Sequence, residues 1–230
     1  MKRRCYIIVS ALLCGMVFAG CGGGNSGVKK NQYLGSLPAI YADYNAKKEA
    51  HEAKMEKEGN NLISGGEKNM DKIMKLMKED EETTKNMKDK LKSDVSAEIT
   101  KIAGTEIPVS YSKALLDSDE LFYDVFPVKL VDNKGNIAIT IVLSAKYDFE
   151  VPRMKGYDYS AYFRLIAADG STISKSTLLP VKLENKTLLI AAGQQLLENN
   201  FLLYISNQPE RYANFSGIEF ISKDEYNESK

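Results

Sequence analysis

The 230-residue chain has no tryptophan, a single histidine (His51) and three cysteines, all at or before position 21 (Cys5, Cys14, Cys21). Its 31 lysines and arginines are matched by 31 aspartates and glutamates, so no excess of positive charge recruits it to nucleic acid. With no cysteine beyond position 21, the remainder has no thiol for nucleophilic catalysis, for a disulfide or for a Cys-based zinc site. His51 stands among Ala, Glu and Lys, so a Ser-His-Asp triad would draw its base from a charged helix. There is no Gly-rich phosphate loop, no His pair at zinc spacing and no complete EF-hand loop. Ser110-Tyr111-Ser112-Lys113 fits a Ser-x-x-Lys pattern, but its companions Ser-Asp-Asn and Lys-Thr-Gly are missing. Asp117-Ser118-Asp119-Glu120, with Asp124 nearby, has oxygen ligands but not the spacing of a calcium loop, and reads as a solvated turn. No catalytic residue, metal site or cofactor is expected, and the chain reads as a non-enzyme. No stretch approaches 18 apolar residues, the length that spans a bilayer as a helix.

What is present at the start is a compact targeting pattern. Lys2, Arg3 and Arg4 precede an apolar run from Tyr6 to Phe18, about 20 Å as a helix and too short for the hydrocarbon core. This is the layout of a signal peptide over residues 1–20. It ends in Phe18-Ala19-Gly20-Cys21, followed by Gly22-Gly23-Gly24-Asn25-Ser26-Gly27. Small residues before a Cys, directly after an apolar run, resemble the lipobox of bacterial lipoproteins, with Phe18 where that family prefers Leu. The resemblance implies that Cys21 is the first mature residue and carries a diacylglyceryl group on its thiol, and that two or three acyl chains hold the protein stably to a membrane. Removal of residues 1–20 takes away three basic groups and no acid, leaving 28 basic against 31 acidic groups, a formal charge of −3. Such a chain has no electrostatic reason to lie on anionic lipid, so the acyl group does the holding.

From Gly22 to Leu37 the composition is Gly-rich and polar, as in a flexible tether, about 22 Å in root-mean-square reach. The absence of an acidic cluster after Cys21, and Gly22 in place of Asp, resemble lipoproteins released to the outer membrane, which implies a periplasm-facing location.

Residues 38–104 carry the spacing of a charged helical hairpin. Ala39–Glu58 and Glu67–Ile102 are rich in Ala, Lys, Glu and Met without Pro. Gly59-Asn60-Asn61 is expected to end the first helix, and Ser64-Gly65-Gly66-Glu67 offers a capping box for the second. In the second, Met70, Ile73, Met77, Thr84, Met87 and Leu91 recur at three- and four-residue steps. The stripe breaks after about one and a half heptads, which favours an amphipathic helix packed on its neighbour over a sustained coiled coil.

Beyond Gly104 the period becomes two. Phe122, Phe126, Val128 and Leu130 alternate up to Asp132-Asn133-Lys134-Gly135-Asn136, and Ile137 to Ala145 alternates after it, which predicts a hairpin. A second hairpin is expected through Ala168-Asp169-Gly170-Ser171, followed by runs at Leu178–Leu183, Leu188–Ala191, Phe201–Ser206 and Gly217–Ser222. Residues 105–223 thus read as an all-β antiparallel sandwich resembling immunoglobulin or fibronectin-III modules in pattern only, since Trp and a Cys pair are absent. Residues 224–230 read as a disordered tail. The fold class is α+β in segments.

Aromatic clusters are the remaining candidate feature. Tyr157 and Tyr159 on one segment, and Tyr204, Arg211 and Tyr212 on another, are the candidate ligand-binding residues, because exposed rings beside charges suit glycan stacking or a protein hot spot. Core packing is the plainer account of the same rings. The sequence therefore reads as a lipid-anchored bacterial envelope protein with a binding or adaptor module for a protein or glycan. Assembly through the helical arm is one alternative, and an envelope hydrolase another.

Overall fold

The computed structural model describes residues 27–63, 69–152, 159–181 and 187–228. Cys21, Tyr157 and the expected capping box at Ser64–Glu67 lie outside these residues.

The helical part comes first. Helix α1 spans Leu37–Ile63 and α2 spans Met70–Ile102. Gly59 does not end α1; its backbone stays helical, and the chain continues for another turn of Asn, Leu and Ile. The stretch Asp43–Leu91 forms one compact unit, while Val28–Ala42 and everything from Lys92 onward form a second.

Within the first unit the two helices pair. His51 Nε2 and Asp80 Oδ1 lie 2.8 Å apart, and Asn69 Nδ2 donates to the Leu62 carbonyl at 3.0 Å. Tyr44, His51, Met55 and Leu62 of α1 are half-buried, as are Ile73, Leu76, Asp80, Thr84, Met87 and Leu91 of α2. Asp80 and Thr84, which interrupt the apolar stripe in sequence, are therefore on it in space, and Asp80 is satisfied there by His51. None of the described residues from Asp43 to Leu91 is buried. Exposed i,i+4 pairs such as Lys47–Asp43 at 2.7 Å and Lys75–Glu79 at 3.7 Å line the outer faces, each contributing only a few tenths of a kcal/mol.

The second unit is a β body. Its strands are β1 (Glu106–Ile107), β2 (Val109–Tyr111), β3 (Tyr123–Val125), β4 (Val128–Asn133), β5 (Asn136–Ala145), β6 (Phe149–Val151), β7 (Ala161–Ala167), β8 (Thr172–Leu178), β9 (Leu188–Ile190), β10 (Gln195–Leu202) and β11 (Phe215–Ile221). Short helices α3 (Lys113–Leu116), α4 (Pro209–Tyr212) and α5 (Lys223–Asn227) decorate them. One sheet has the order β1-β4-β5-β10, with β3 also on β5; a second has the order β2-β11-β7-β8; β6 and β9 form a separate ribbon. The architecture is α+β in segments, with antiparallel and mixed sheets. The expected all-antiparallel pattern fails at one place, where β2 runs parallel to β11.

Both expected hairpins form. β4 and β5 are joined by Lys134-Gly135, with φ of 55° and 84°, the left-handed pair that matches strand twist, and Asp132 Oδ1 accepts from Gly135 N at 2.7 Å. β7 pairs with β8 across Asp169-Gly170. The run from Phe122 to Leu130, in contrast, is two strands. It breaks at Phe126-Pro127, because proline has no N–H to donate, and β3 and β4 pair with successive lengths of β5. Phe126 consequently turns outward, half exposed. The strand expected at Phe201–Ser206 lies earlier, at Gln195–Leu202, and its polar face suits the edge of the first sheet.

Pro108 moves the chain from one sheet to the other, since Ile107 pairs with β4 and Val109 with β11. The Pro108 carbonyl accepts from Ile218 N at 2.9 Å, and a side chain at Gly217 would stand 2.7 Å from it, so only glycine fits there. Rings join the two sheets: Phe163 of β7 meets Phe201 of β10 at 5.2 Å, and Tyr123 of β3 meets Phe220 of β11 at 5.6 Å.

Two segments read from composition as tether or tail are packed. Asn31 is buried; its Oδ1 accepts from Tyr33 N (2.8 Å) and Leu34 N (2.9 Å), and its Nδ2 donates to the Ala213 and Phe215 carbonyls (3.0 and 2.8 Å). Leu34 and Leu37 are fully buried behind it. The body therefore begins at Asn31, seven residues before the expected boundary. Gly35, at φ +56°, passes so close to Glu98 that a Cβ would lie 2.4 Å from its carboxylate. Glu98 in turn accepts from Ser36 N at 2.7 Å and Lys101 Nζ at 2.9 Å. At the other end Lys223–Asn227 is helical, closed by a Ser222/Glu225 capping box and by Lys175 donating to the Glu225 carbonyl.

Glu98 should make the body lose stability in acid. The Ser36 N–H bond, with Lys101 behind it, holds the Glu98 carboxyl below its usual value against the opposing effect of burial. A folded pKa below the unfolded one contributes stability above the unfolded value and loses it as pH falls through the folded one. Glu98→Gln should be about 1 kcal/mol less stable at neutral pH. It should also lose less stability than the parent chain between about pH 5 and 3, as read by urea unfolding across that range.

Candidate functional site

The sequence-predicted residues do not converge. Tyr159 follows β6 and precedes β7, and its ring stacks on Phe149 at 5.7 Å and meets Phe122 edge-on at 5.5 Å. Phe122 also meets Phe149 at 5.6 Å and Tyr123 at 5.2 Å, and Tyr147 meets Phe149 at 6.1 Å. Four of these rings form a ladder of falling depth: Phe122 is buried, Phe149 and Tyr159 are half-buried, and Tyr147 is 46% exposed. Tyr159 Oη donates to the Glu150 carbonyl at 3.2 Å, which leaves its hydroxyl engaged and its ring fixed. Asp148, between the two aromatic positions, accepts from Ala192 N at 2.7 Å and pins the ribbon's approach.

The second predicted group belongs largely to structure. Tyr212 is buried, and burial raises its phenol above the ordinary value while hydrogen bonds to Ser174 and to the Tyr204 backbone oppose this. Arg211 donates to Gln208 Oε1 at 2.8 Å and to the Thr172 carbonyl, tying α4 to β8. Only Tyr204, 60% exposed, offers a free ring face there. The plainer account of aromatic packing thus holds for Tyr212, while Tyr159 and Tyr204 sit at the surface on different segments.

The residues with suggestive spacing make contacts with the backbone around them. Ser110 Oγ points back to the Ile218 carbonyl at 3.4 Å. Ser118 Oγ bonds the Leu115 carbonyl, and Glu120 accepts from Lys223 N at 2.8 Å, so the acidic stretch serves turn and helix ends. Among the described residues, no three His, Cys, Asp or Glu side chains gather as a metal site.

A cluster missed in the sequence lies across 113 residues. The buried Ser112 caps α3, accepting from Leu115 N at 3.1 Å, and donates to Glu225 Oε2 at 2.5 Å. Glu225 also accepts from Ser222 N at 2.9 Å and Ser222 Oγ at 3.1 Å. Burial pushes its carboxyl up, but these bonds, with Arg164 nearby, bring it below the usual value. A carboxylate so charged and so occupied is a poor proton acceptor, and the cluster locks the C-terminal helix to the body.

The Tyr123 hydroxyl is different: fully buried, it has no hydrogen-bond partner among the described residues. Burial drives its phenol well up, and Tyr111 and Glu120 add to this. An unsatisfied buried hydroxyl costs about 1–3 kcal/mol. Tyr123→Phe should therefore raise stability by about 1 kcal/mol in thermal unfolding; a fall of similar size would reveal a partner for the hydroxyl.

No family model, curated protein or solved structure matches the chain.

Proposed function

We propose that the chain is a lipid-anchored protein of the bacterial cell envelope, at the outer membrane and facing the periplasm, whose β body is a non-catalytic binding or adaptor module for a protein or glycan. The anchor reading rests on Phe18-Ala19-Gly20-Cys21 after a short apolar run. Nine residues, Gly22–Lys30, then separate Cys21 from the packed body at Asn31.

The binding reading is carried by one observation, the ring ladder Phe122–Phe149–Tyr159 ending in the half-exposed Tyr147. Rings held rigid from behind and open at one end lose little entropy when a partner stacks on them. A two-sheet sandwich is supported by the rings that cross between the sheets. One sheet of it has the order β1-β4-β5-β10 and the other β2-β11-β7-β8, with β2 parallel to β11.

A photo-crosslinking phenylalanine analogue at position 147, activated in intact cells, tests the binding reading. A discrete protein adduct, or co-sedimentation of the purified protein with peptidoglycan sacculi that Tyr147→Ala weakens about tenfold, supports it. Neither adduct nor co-sedimentation would overturn it.

A further inference from the structure

The strands at the borders of the sheets are not alike. β1, β2, β6 and β9 are two or three residues long, and β8 is tied to α4, through Arg211 on the Thr172 carbonyl and Tyr212 on Ser174. β10 runs for eight residues, Gln195–Leu202, along the border of the first sheet, with no proline and no lysine. Those are the residues that ordinarily keep a border strand from adding a neighbour. Leu203 N donates to the Ile137 carbonyl across the pair with β5. By the alternation of an antiparallel ladder, Leu197, Asn199 and Phe201 then bond to β5, while Leu196, Glu198, Asn200 and Leu202 turn their N–H and C=O groups away from it. Among the described residues no strand takes up those groups, and Glu198, Asn199 and Asn200 are exposed.

The residues of this border say what completes it. From Leu196 to Leu202 the strand reads Leu-Leu-Glu-Asn-Asn-Phe-Leu, which has the same character in either direction about Asn199. A strand that is its own complement fits a second copy related by a two-fold axis, the isologous contact of a symmetric dimer. With the axis at Asn199, Leu196 stands opposite Leu202 and Glu198 opposite Asn200, and these are the residues whose outward groups exchange hydrogen bonds in an antiparallel pair. Between them Leu197 stands opposite Phe201, on the face where Phe201 meets Phe163 of the other sheet at 5.2 Å; both are half-buried, and a neighbouring strand covers them. The polar pair matches too. Thr140 Oγ1 donates to Asn200 Oδ1 at 2.7 Å, which leaves the Asn200 amino group to donate to the Glu198 carboxylate of the second copy. An axis at Glu198 would set two carboxylates against each other, and one at Asn200 would set Glu198 against Leu202, so the side chains select the register.

We infer that two copies of the chain pair antiparallel through β10, with the two-fold axis at Asn199, and join their first sheets into one continuous sheet. A strand border of this length buries less than a standard interface, so the pair is a weak one that forms at high concentration. This inference does not depend on the proposed anchor or on the ring ladder.

The test uses the full chain with Cys5, Cys14 and Cys21 replaced by Ser, which leaves it free of cysteine, in mild nonionic detergent. At about 100 µM it should sediment at twice its 25.6 kDa mass. Asn199→Cys in this background should form a disulfide-linked dimer about tenfold faster than Gln195→Cys, whose counterpart lies about 27 Å away along the pair. Asn200→Glu sets carboxylates opposite each other on both sides of the axis and should weaken self-association about tenfold. Glu198→Lys/Asn200→Glu sets opposite charges there instead and should restore it, which also shows that the change at position 200 leaves the sheet folded. A monomer at this concentration, equal cross-linking at the two positions, undiminished association of Asn200→Glu, or no recovery in the double variant would overturn the inference.

Discussion

Phe220→Ala should destabilise the β body by about 4 kcal/mol and lower its unfolding midpoint by about 12 °C. Phe220 is fully buried in β11, between Tyr111 of the parallel neighbour β2 and Phe163 of the antiparallel neighbour β7, which are its register partners on either side. Its ring lies 5.9 Å from Tyr111, 5.8 Å from Phe163 and 5.6 Å from Tyr123 of the opposite sheet. Truncation therefore removes a full aromatic side chain from both the cross-strand row and the contact between sheets. The backbone around it is held by pairing on two sides, so the cavity cannot close. Phe126→Ala is the comparison, because that ring is half exposed and its loss should cost less than about 1 kcal/mol. Urea unfolding of the two variants separates the cases; similar losses would mean that the two sheets do not meet where the rings place them.

These contrasts also mark what the sequence could tell. The periodicity of Ile137 to Ala145 and the Asn-Lys-Gly-Asn turn were sufficient for the central hairpin, because strand alternation and left-handed turn geometry are local properties. The helix pair was legible for the same reason. Gly59 misled because a glycine ends a helix only when the backbone turns left-handed, and here the next residues continue the helical hydrogen bonds. The packed Asn31–Leu37 segment was invisible: its composition is that of a linker, and its partners Ala213 and Phe215 lie more than 180 residues away. Ser112 and Glu225 escaped on the same ground. The aromatic candidates were read by type and neighbourhood, which cannot separate the buried Tyr212 from the exposed Tyr204 eight positions earlier. Tyr147, the most exposed ring of the ladder, has no distinctive sequence context; it precedes the short ribbon strand that begins at Phe149, and only its ring contact with Phe149 brings it into the cluster.

The second large effect concerns the anchor. Under the proposed lipidation, Cys21→Ala removes the acyl attachment, and among the described residues no helix is long and apolar enough to cross a membrane. The formal charge of −3 beyond residue 20 gives no substitute through anionic headgroups. Acyl chains contribute about 0.8 kcal/mol per buried methylene, so losing two or three of them shifts the distribution completely instead of by degrees. The body, which begins at Asn31, should keep its thermal unfolding profile in this variant, separating anchoring from folding.

Labelling cells with radioactive palmitate and fractionating them tests the proposal most directly. The account predicts label on the parent chain and its recovery with the membranes, and neither for Cys21→Ala, whose protein should be soluble and folded. A Cys21→Ala protein that still fractionates with membranes, or a parent chain that takes up no palmitate, would contradict it.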